Sequence, residues 1–197
     1  MRRVLGIALG AALFALAATA GSAKAGLLPG LLGGNCGTTA KVFSPWNDPA
    51  GYYFAPNGGF ETGSTNWSLS GGASVVSDND AYRLSGAGSH ALRLNAGSTA
   101  SINVCYGLTY PAIRFTTAGS GRVHVRVVSK SLLGLLSVLD GGSLTVDGSW
   151  DASPKLSTLL SAVTAPLGTK SMQLQLTAES GTVLIDDLFV DPFLTRQ

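Results

Sequence analysis

After Asn57, apolar and polar residues alternate with a period of two over much of the chain. Leu92-Arg93-Leu94-Asn95 alternates, as do Arg122-Val123-His124-Val125-Arg126-Val127 and Met172-Gln173-Leu174-Gln175-Leu176. Successive strand residues point to opposite faces, so the pattern predicts half-buried strands. Ile113 to Thr117, Leu144 to Val146 and Val183 to Val190 add further extended segments. Between them stand Ser70-Gly71-Gly72, Ser85-Gly86-Ala87-Gly88-Ser89, Ala118-Gly119-Ser120-Gly121 and Asp140-Gly141-Gly142, all of turn composition. No stretch shows helical periodicity with caps. Leu132-Leu133-Gly134-Leu135-Leu136 is interrupted by glycine and predicts an extended hairpin. Leu156 to Val163, bracketed by Pro154 and Pro166, predicts an irregular segment or one strand. Many short antiparallel strands at this spacing predict an all-β, two-sheet antiparallel sandwich.

The first residues are of another kind. Met1-Arg2-Arg3 is basic, Val4 to Ala20 carries no charge, and Ala23-Lys24-Ala25 has a small-x-small pattern. This predicts a cleavable secretory signal over 1–25 and an extracellular protein. A membrane anchor is the alternative, although an Ala- and Gly-rich run is weakly apolar for a spanning helix. The whole chain has 13 Lys and Arg against 11 Asp and Glu. Arg2, Arg3 and Lys24 lie in the leader, so residues 26–197 carry a formal charge of −1. A nearly neutral surface gives no footprint for nucleic acid or an anionic membrane. One domain is expected over 56–197, without membrane insertion after cleavage, as a monomer.

Residues 26–55 are punctuated by Pro29, Pro45 and Pro49 and carry Phe43, Trp46, Tyr52, Tyr53 and Phe54. Proline excludes a long helix, and the aromatics need burial. The segment is expected to be an irregular N-terminal extension draped over the domain. The two cysteines of the chain, Cys36 and Cys105, are expected to pair in an oxidising compartment. Two unpaired buried thiols are the alternative.

Asn57-Gly58-Gly59-Phe60-Glu61-Thr62-Gly63 followed by Trp67, with a closing Val183-Leu184-Ile185-Asp186-Asp187-Leu188-Phe189-Val190, resembles the jelly-roll carbohydrate-binding modules of the cellulase and xylanase type. These are galactose-binding-domain-like sandwiches. The resemblance spans roughly 56–192 and implies a jelly roll whose first strand carries the Asn57 motif, with Trp67 and Trp150 in the core. It also implies a structural calcium between first and last strands, at the Glu61 carboxylate, the Gly59 carbonyl and the Asp186 side chain. Independently, Asp186 alternates onto the face of Leu184, Leu188 and Val190, where a carboxylate needs a partner or a cation. Asp187 then faces the other way. Hydrogen bonds from Asp186 and Glu61 to turn backbone, with no metal, are the alternative.

Arg122, His124 and Arg126 share one strand face; Gln173 and Gln175 form a second polar row, Arg93 and Asn95 a third. In one sheet these rows make a surface for sugar hydroxyls or an acidic glycan. The alternative is the solvated outside of a half-buried sheet. Among the aromatics, Tyr82, Tyr106 and Tyr110 are the candidates for stacking, with Tyr82 beside a turn-rich loop, whereas Trp46, Tyr52 and Tyr53 are expected to be buried under the extension, a platform being the alternative. The chain has two histidines and neither a nucleophile elbow nor a metal-ligand motif. The expected function is an exported, non-catalytic module for a glycan or cell-surface polysaccharide. A structural or adhesive sandwich without a sugar site is the alternative, and a glycan-processing enzyme a more distant one.

Overall fold

The computed structural model describes residues 36–107, 111–157 and 169–192. The leader segment 1–25 lies outside these, as do Tyr110 and 158–163 of the run after Pro154. No described helix is long and apolar enough to cross a membrane.

Among the described residues, nine strands form one antiparallel network: β1 (Tyr53–Phe54), β2 (Trp67–Ser70), β3 (Ser74–Val76), β4 (Ala91–Asn95), β5 (Thr99–Val104), β6 (Ala112–Ser131), β7 (Leu136–Ala152), β8 (Leu156–Ser157) and β9 (Thr169–Asp191). Strand β9 is central. Its first half pairs with β5 and its second half with β4, while β6 runs along its whole length on the other side. The bend between the halves falls where turns were expected. Ala118 to Gly121 does not reverse the chain but continues β6, and the same holds for Asp140 to Gly142 in β7. At the bend the β6 and β9 backbones come too close for side chains. A Cβ on Gly119 or Gly181 would run into the carbonyl oxygen of Thr182 or Ser120. Both glycines also have left-handed φ values, 103° and 66°.

Each long strand therefore serves both layers, and the layers fold onto one core. Ala100, Ile102, Val123, Val125, Val127, Leu174 and Leu176 from one half meet Leu92, Leu94, Ile113, Val183 and Ile185 from the other. All are buried, as the alternation predicts. The result is the expected jelly-roll sandwich, curled nearly into a barrel. The Leu132 to Leu136 run is the expected hairpin turn, joining β6 to β7 with Gly134 at φ 81°.

The Asn57 motif is not a strand. Asn57, Phe60 and Gly63 have φ values of 52°, 59° and 63°, so 57–66 is a series of turns. The Asn57 amide holds it, donating to the Gly63 and Thr65 carbonyls at 2.8 and 3.0 Å and accepting from the Thr62 N–H. Phe60 is fully buried against Trp67, so the motif plugs the core.

Residues 36–52 lie over the sandwich, but the irregular segment expected to run to residue 55 ends earlier: Tyr53–Phe54 pair with β9 as β1, and Tyr53 and Ala55 enter the main core. Phe43, Ala50 and Tyr52 pack with Phe189 in a second cluster. Cys36 and Cys105 form a disulfide across 69 positions, with Cα atoms 5.3 Å apart. Closing a loop of this length in the unfolded chain contributes about 4 kcal/mol by the chain-entropy model. Reduction is expected to lower the urea midpoint correspondingly; an unchanged midpoint would show that the bridge adds nothing.

Candidate functional site

Two of the three polar rows lie on one face, and the third, Arg93 and Asn95 on β4, lies in the other layer. Arg126 pairs in register with Gln175, which pairs with Ser101; His124 is opposite Thr177, and Val128 opposite Gln173. Most of the face is internally satisfied, although the Arg126 side chain makes no hydrogen bond or ion pair among the described residues. Arg122 Nε contacts Glu179 at 2.7 Å, and His124 lies between Asp140 (2.7 Å) and Glu179 (3.4 Å). The Gln175 amide donates to Gln173 Oε1 at 3.0 Å. Hydrogen bonds from His124 and from the Gly142 N–H hold the Asp140 carboxyl below its usual range. Tyr82 does not belong to this face.

Tyr82 belongs to the opposite layer, with two of the three tryptophans that were expected to be buried; Trp67 is the one that is. Trp46 and Trp150 are each only half-buried, and Tyr82 is 42% exposed. The Trp46 and Tyr82 rings meet edge to face at 5.0 Å. The Trp46 indole N–H donates to Asp151 at 3.3 Å, and the Tyr82 hydroxyl donates to the Trp150 carbonyl at 3.2 Å. The Trp150 indole N–H donates to Asp78 at 3.3 Å. Trp150 is on β7 and Asp78 follows β3, at the two margins of this layer. Their contact spans its outer face.

Beside that contact is a groove of about 530 Å³, within the usual range for ligand sites. Arg93 from β4, Thr182 and Leu184 from β9 and Ser120 from β6 line it, with Asp78 at its margin. These strands are neighbours, so alternation alone presents the four side chains together. The Arg93 guanidinium makes one weak hydrogen bond, to Ser74 Oγ at 3.4 Å, and no ion pair among the described residues. It retains donors for a ligand, unlike Arg122. The arrangement can grip a polar, flat-faced molecule: a guanidinium fork, a carboxylate, hydroxyls and an indole edge.

Next along β9 is a buried acidic cluster. Asp80, Asp186 and Asp187 each present an oxygen within 4.8 Å of the others, and all are 2% exposed. The expectation that Asp187 faces away from Asp186 is corrected. Arg114 pairs with Phe189 and Thr116 with Asp186, so two residues of β9 oppose Phe115 alone. Asp187 takes up the extra residue at φ 46°, and this bulge resets the alternation. Leu188 and Val190 consequently enter the main core with Val183 and Ile185, not the face of Leu184.

The cluster's hydrogen-bond donors are all neutral. Asp80 accepts from the Tyr82 and Arg83 N–H groups at 2.6 and 2.7 Å and from Thr116 Oγ1 at 2.8 Å. Asp187 accepts from the Leu84 N–H at 2.6 Å and from the Ser85 hydroxyl. Asp186 accepts from the Asp187 and Asp80 N–H groups at 2.7 and 3.4 Å. Burial, reinforced by the neighbouring carboxylates, pushes Asp186 up to about 8; burial likewise pushes Asp187 up to about 6. Three oxygen ligands with no cationic side chain against them fit a hard divalent cation such as calcium.

Of the residues first assigned to a metal, Asp186 is in this cluster. Gly59 is beside it, since a Cβ there would lie 3.5 Å from Asp186 Oδ1. Glu61 is not in it. Its carboxylate accepts from the Ser89 and His90 N–H groups at 2.8 and 2.9 Å, the turn-backbone arrangement held as the alternative. Asp80 had no place in the sequence-based site. The Asp78-Asn79-Asp80 run after β3 and the Asp186-Asp187 pair are its only traces in the sequence.

No family model matches the chain, and no curated protein does. Solved structures match in shape. The CBM22-1 xylan-binding domain from Paenibacillus barcinonensis Xyn10C aligns with a TM-score of 0.52 at 15% identity, over 72% of this chain and 94% of that one. The C-terminal family 22 carbohydrate-binding module of Clostridium thermocellum Xyn10B aligns at 0.50 and 15%, over 76% and 99%. The enzymatically active domain of tailspike protein 4 of bacteriophage CBA120 aligns at 0.51 and 14%, over 68% of this chain but 20% of that one. At these identities the likeness concerns the fold alone, a jelly-roll β-sandwich that the binding modules and the tailspike domain both match.

Proposed function

We propose that this chain is an exported, non-catalytic glycan-binding module whose ligand lies in the groove lined by Arg93, Asp78, Thr182 and Ser120, against Trp150. The observation that carries the reading is the groove itself. It sets the Arg93 guanidinium and the Asp78 carboxylate in one lining, with the Trp150 indole that binds Asp78 standing just outside it, a mixture of planar polar groups and aromatic surface that suits a sugar ring. The module-like fold supports it, and so does the disulfide, which suits an oxidising compartment. The reading moves the sugar site from the Arg122, His124, Arg126, Gln173 and Gln175 face, whose charges are largely occupied by one another, to the opposite layer. It includes a calcium ion held by Asp80, Asp186 and Asp187. These residues tether the 80–85 loop, so the ion would firm the segment that ends in Tyr82 and starts at the groove margin.

Affinity electrophoresis in gels cast with neutral or acidic polysaccharides tests the site. At least one polysaccharide should retard the chain. Arg93→Met, at an exposed position, and Trp150→Ala should each weaken binding tenfold or more, while Arg122→Ala should leave it unchanged. No retardation by any polysaccharide would overturn the module, and loss of binding in Arg122→Ala alone would return the site to the other face.

A further inference from the structure

The tip of the β6–β7 hairpin breaks the chain's own rules of burial. Leu132, Leu133, Leu135, Leu136 and Val138 are 61–88% exposed. Elsewhere, among the described residues, the large hydrophobic side chains with comparable freedom are only Phe54 and Tyr82, near 40%. Scattered exposed leucines are ordinary, but contiguous ones mark a contact surface. Here they are contiguous. Leu136 is opposite Lys130 and Val138 opposite Val128, so Val128, Leu136 and Val138 share the outer face of the hairpin, and the turn leucines cap it.

The turn is built to hold this shape. The Ser131 N–H donates to the Leu135 carbonyl at 2.9 Å, the Gly134 N–H to the Ser131 carbonyl at 3.0 Å, and the Leu135 N–H to Ser131 Oγ at 3.0 Å. Those three bonds fix the turn, and the leucine side chains project outward from it.

The charges around the tip have one sign. Lys130 is exposed on the hairpin, and Lys170 is exposed beside it on β9, where Ser131 pairs with Thr169. Arg126 follows two positions before Val128. No acidic residue occurs in the sequence from Val125 to Leu139, nor from Ala152 to Ala178. The nearest acid along β7 is Asp140, four residues from Leu136, or roughly 13 Å along a strand. An apolar tip ringed by lysines is complementary to a surface with anionic headgroups over hydrocarbon. A second copy of the chain would offer the same positive ring and repel it.

We infer that the β6–β7 hairpin tip is a membrane-docking finger: Leu132, Leu133 and Leu135 enter the interfacial region of an anionic lipid bilayer while Lys130 and Lys170 contact headgroups. This surface is independent of the sugar groove and revises the expectation of a chain with no electrostatic footprint for membranes. The near-neutral total conceals a locally basic, apolar end.

The test places the reporter in the tip, so that other apolar segments of the full chain do not register. Leu133→Cys supplies a single thiol beside the disulfide-bonded pair and is labelled with an environment-sensitive nitrobenzoxadiazole dye. Adding vesicles of 30% phosphatidylglycerol in phosphatidylcholine should blue-shift and brighten the dye, and pure phosphatidylcholine should do so much less. Lys130→Gln should raise the lipid concentration at half-signal about fivefold, and the Lys130→Gln, Lys170→Gln pair more, with the salt dependence reduced. A dye that stays in water at every anionic-lipid concentration would overturn the inference. So would a signal that depends on protein concentration without lipid, because the tip would then be a self-association surface.

Discussion

Arg114→Ala will destabilise the fold by about 3–5 kcal/mol, the scale for removing one partner of a buried ion pair. Arg114 is on β6 and 5% exposed. Its Nη1 contacts Asp48 Oδ2 at 3.0 Å, its Nε donates to the Ser153 carbonyl at 2.9 Å, and its guanidinium sits 4.3 Å above the Phe43 ring. One side chain thus fastens the 36–52 segment to the sandwich. Truncation removes the guanidinium from Asp48, itself 3% exposed, which keeps neutral donors in the Tyr52 hydroxyl at 2.6 Å and the Ala50 N–H at 3.1 Å. Urea denaturation measures the loss, and the pair Asp48→Asn, Arg114→Ala should lose less than the two single variants added together. Burial alone would raise the Asp48 carboxyl, but the hydrogen bonds from Tyr52, Ala50 and Arg114 outweigh it and hold the group below its ordinary 3.8. A depressed folded value means that this stabilisation is complete above the unfolded value and fades as pH falls through the folded one. Below pH 4 the wild-type chain should therefore lose stability faster than the Asp48→Asn variant. An Arg114→Ala loss below 1 kcal/mol would show that the extension is not fastened there.

Calcium will raise the thermal midpoint at pH 8 by roughly 5–10 °C at a hundredfold excess over its dissociation constant. The sign of the pH dependence follows from the acidic cluster. In chelator, the folded chain keeps protons on Asp186 and Asp187 that the unfolded chain has shed, so stability falls as pH rises from about 4 to 8. The cation replaces those protons, and its benefit should be larger at pH 8 than at pH 5. Asp187→Asn should raise the metal-free midpoint at pH 8 and erase the calcium response. Differential scanning calorimetry with and without chelator decides; coincident midpoints at pH 8 would sink the site.

The alternation of residues 91–95, 122–127 and 172–176 made the layers legible from the sequence, because one face had to be dry. It did not reveal that β6 and β9 run unbroken through both layers. Gly119, Gly121 and Gly181 look like turn residues in isolation, and only the partner backbone shows them to be places of close approach. The site was less legible. A row such as Arg122, His124 and Arg126 looks available until Glu179 and Asp140 are brought beside it by pairing. Trp150 was assigned to the core by the resemblance and Trp46 to burial under the extension, but each indole N–H found a carboxylate at the surface, Asp78 and Asp151. Asp80 was hidden because nothing local distinguishes it; its role depends on Asp186 and Asp187, more than a hundred residues away.

The bulge at Asp187 has an evolutionary reading. Strand β9 continues past Ile185 in the opposite phase, joined to what precedes by one extra residue. Its start near Thr169 can gain or lose residues at little cost, because the change stays at the margin of the sheet. Were all its residues paired in regular alternation, Leu188 and Val190 would turn to the outer face and Phe189 toward the main core. One additional residue is therefore absorbed here without reversing those that follow, and it brings the acid that reaches Asp80 and Asp186. Descendants of this sequence could lose that residue and keep Leu188 and Val190 inside, but they would lose a carboxylate of the cluster with it.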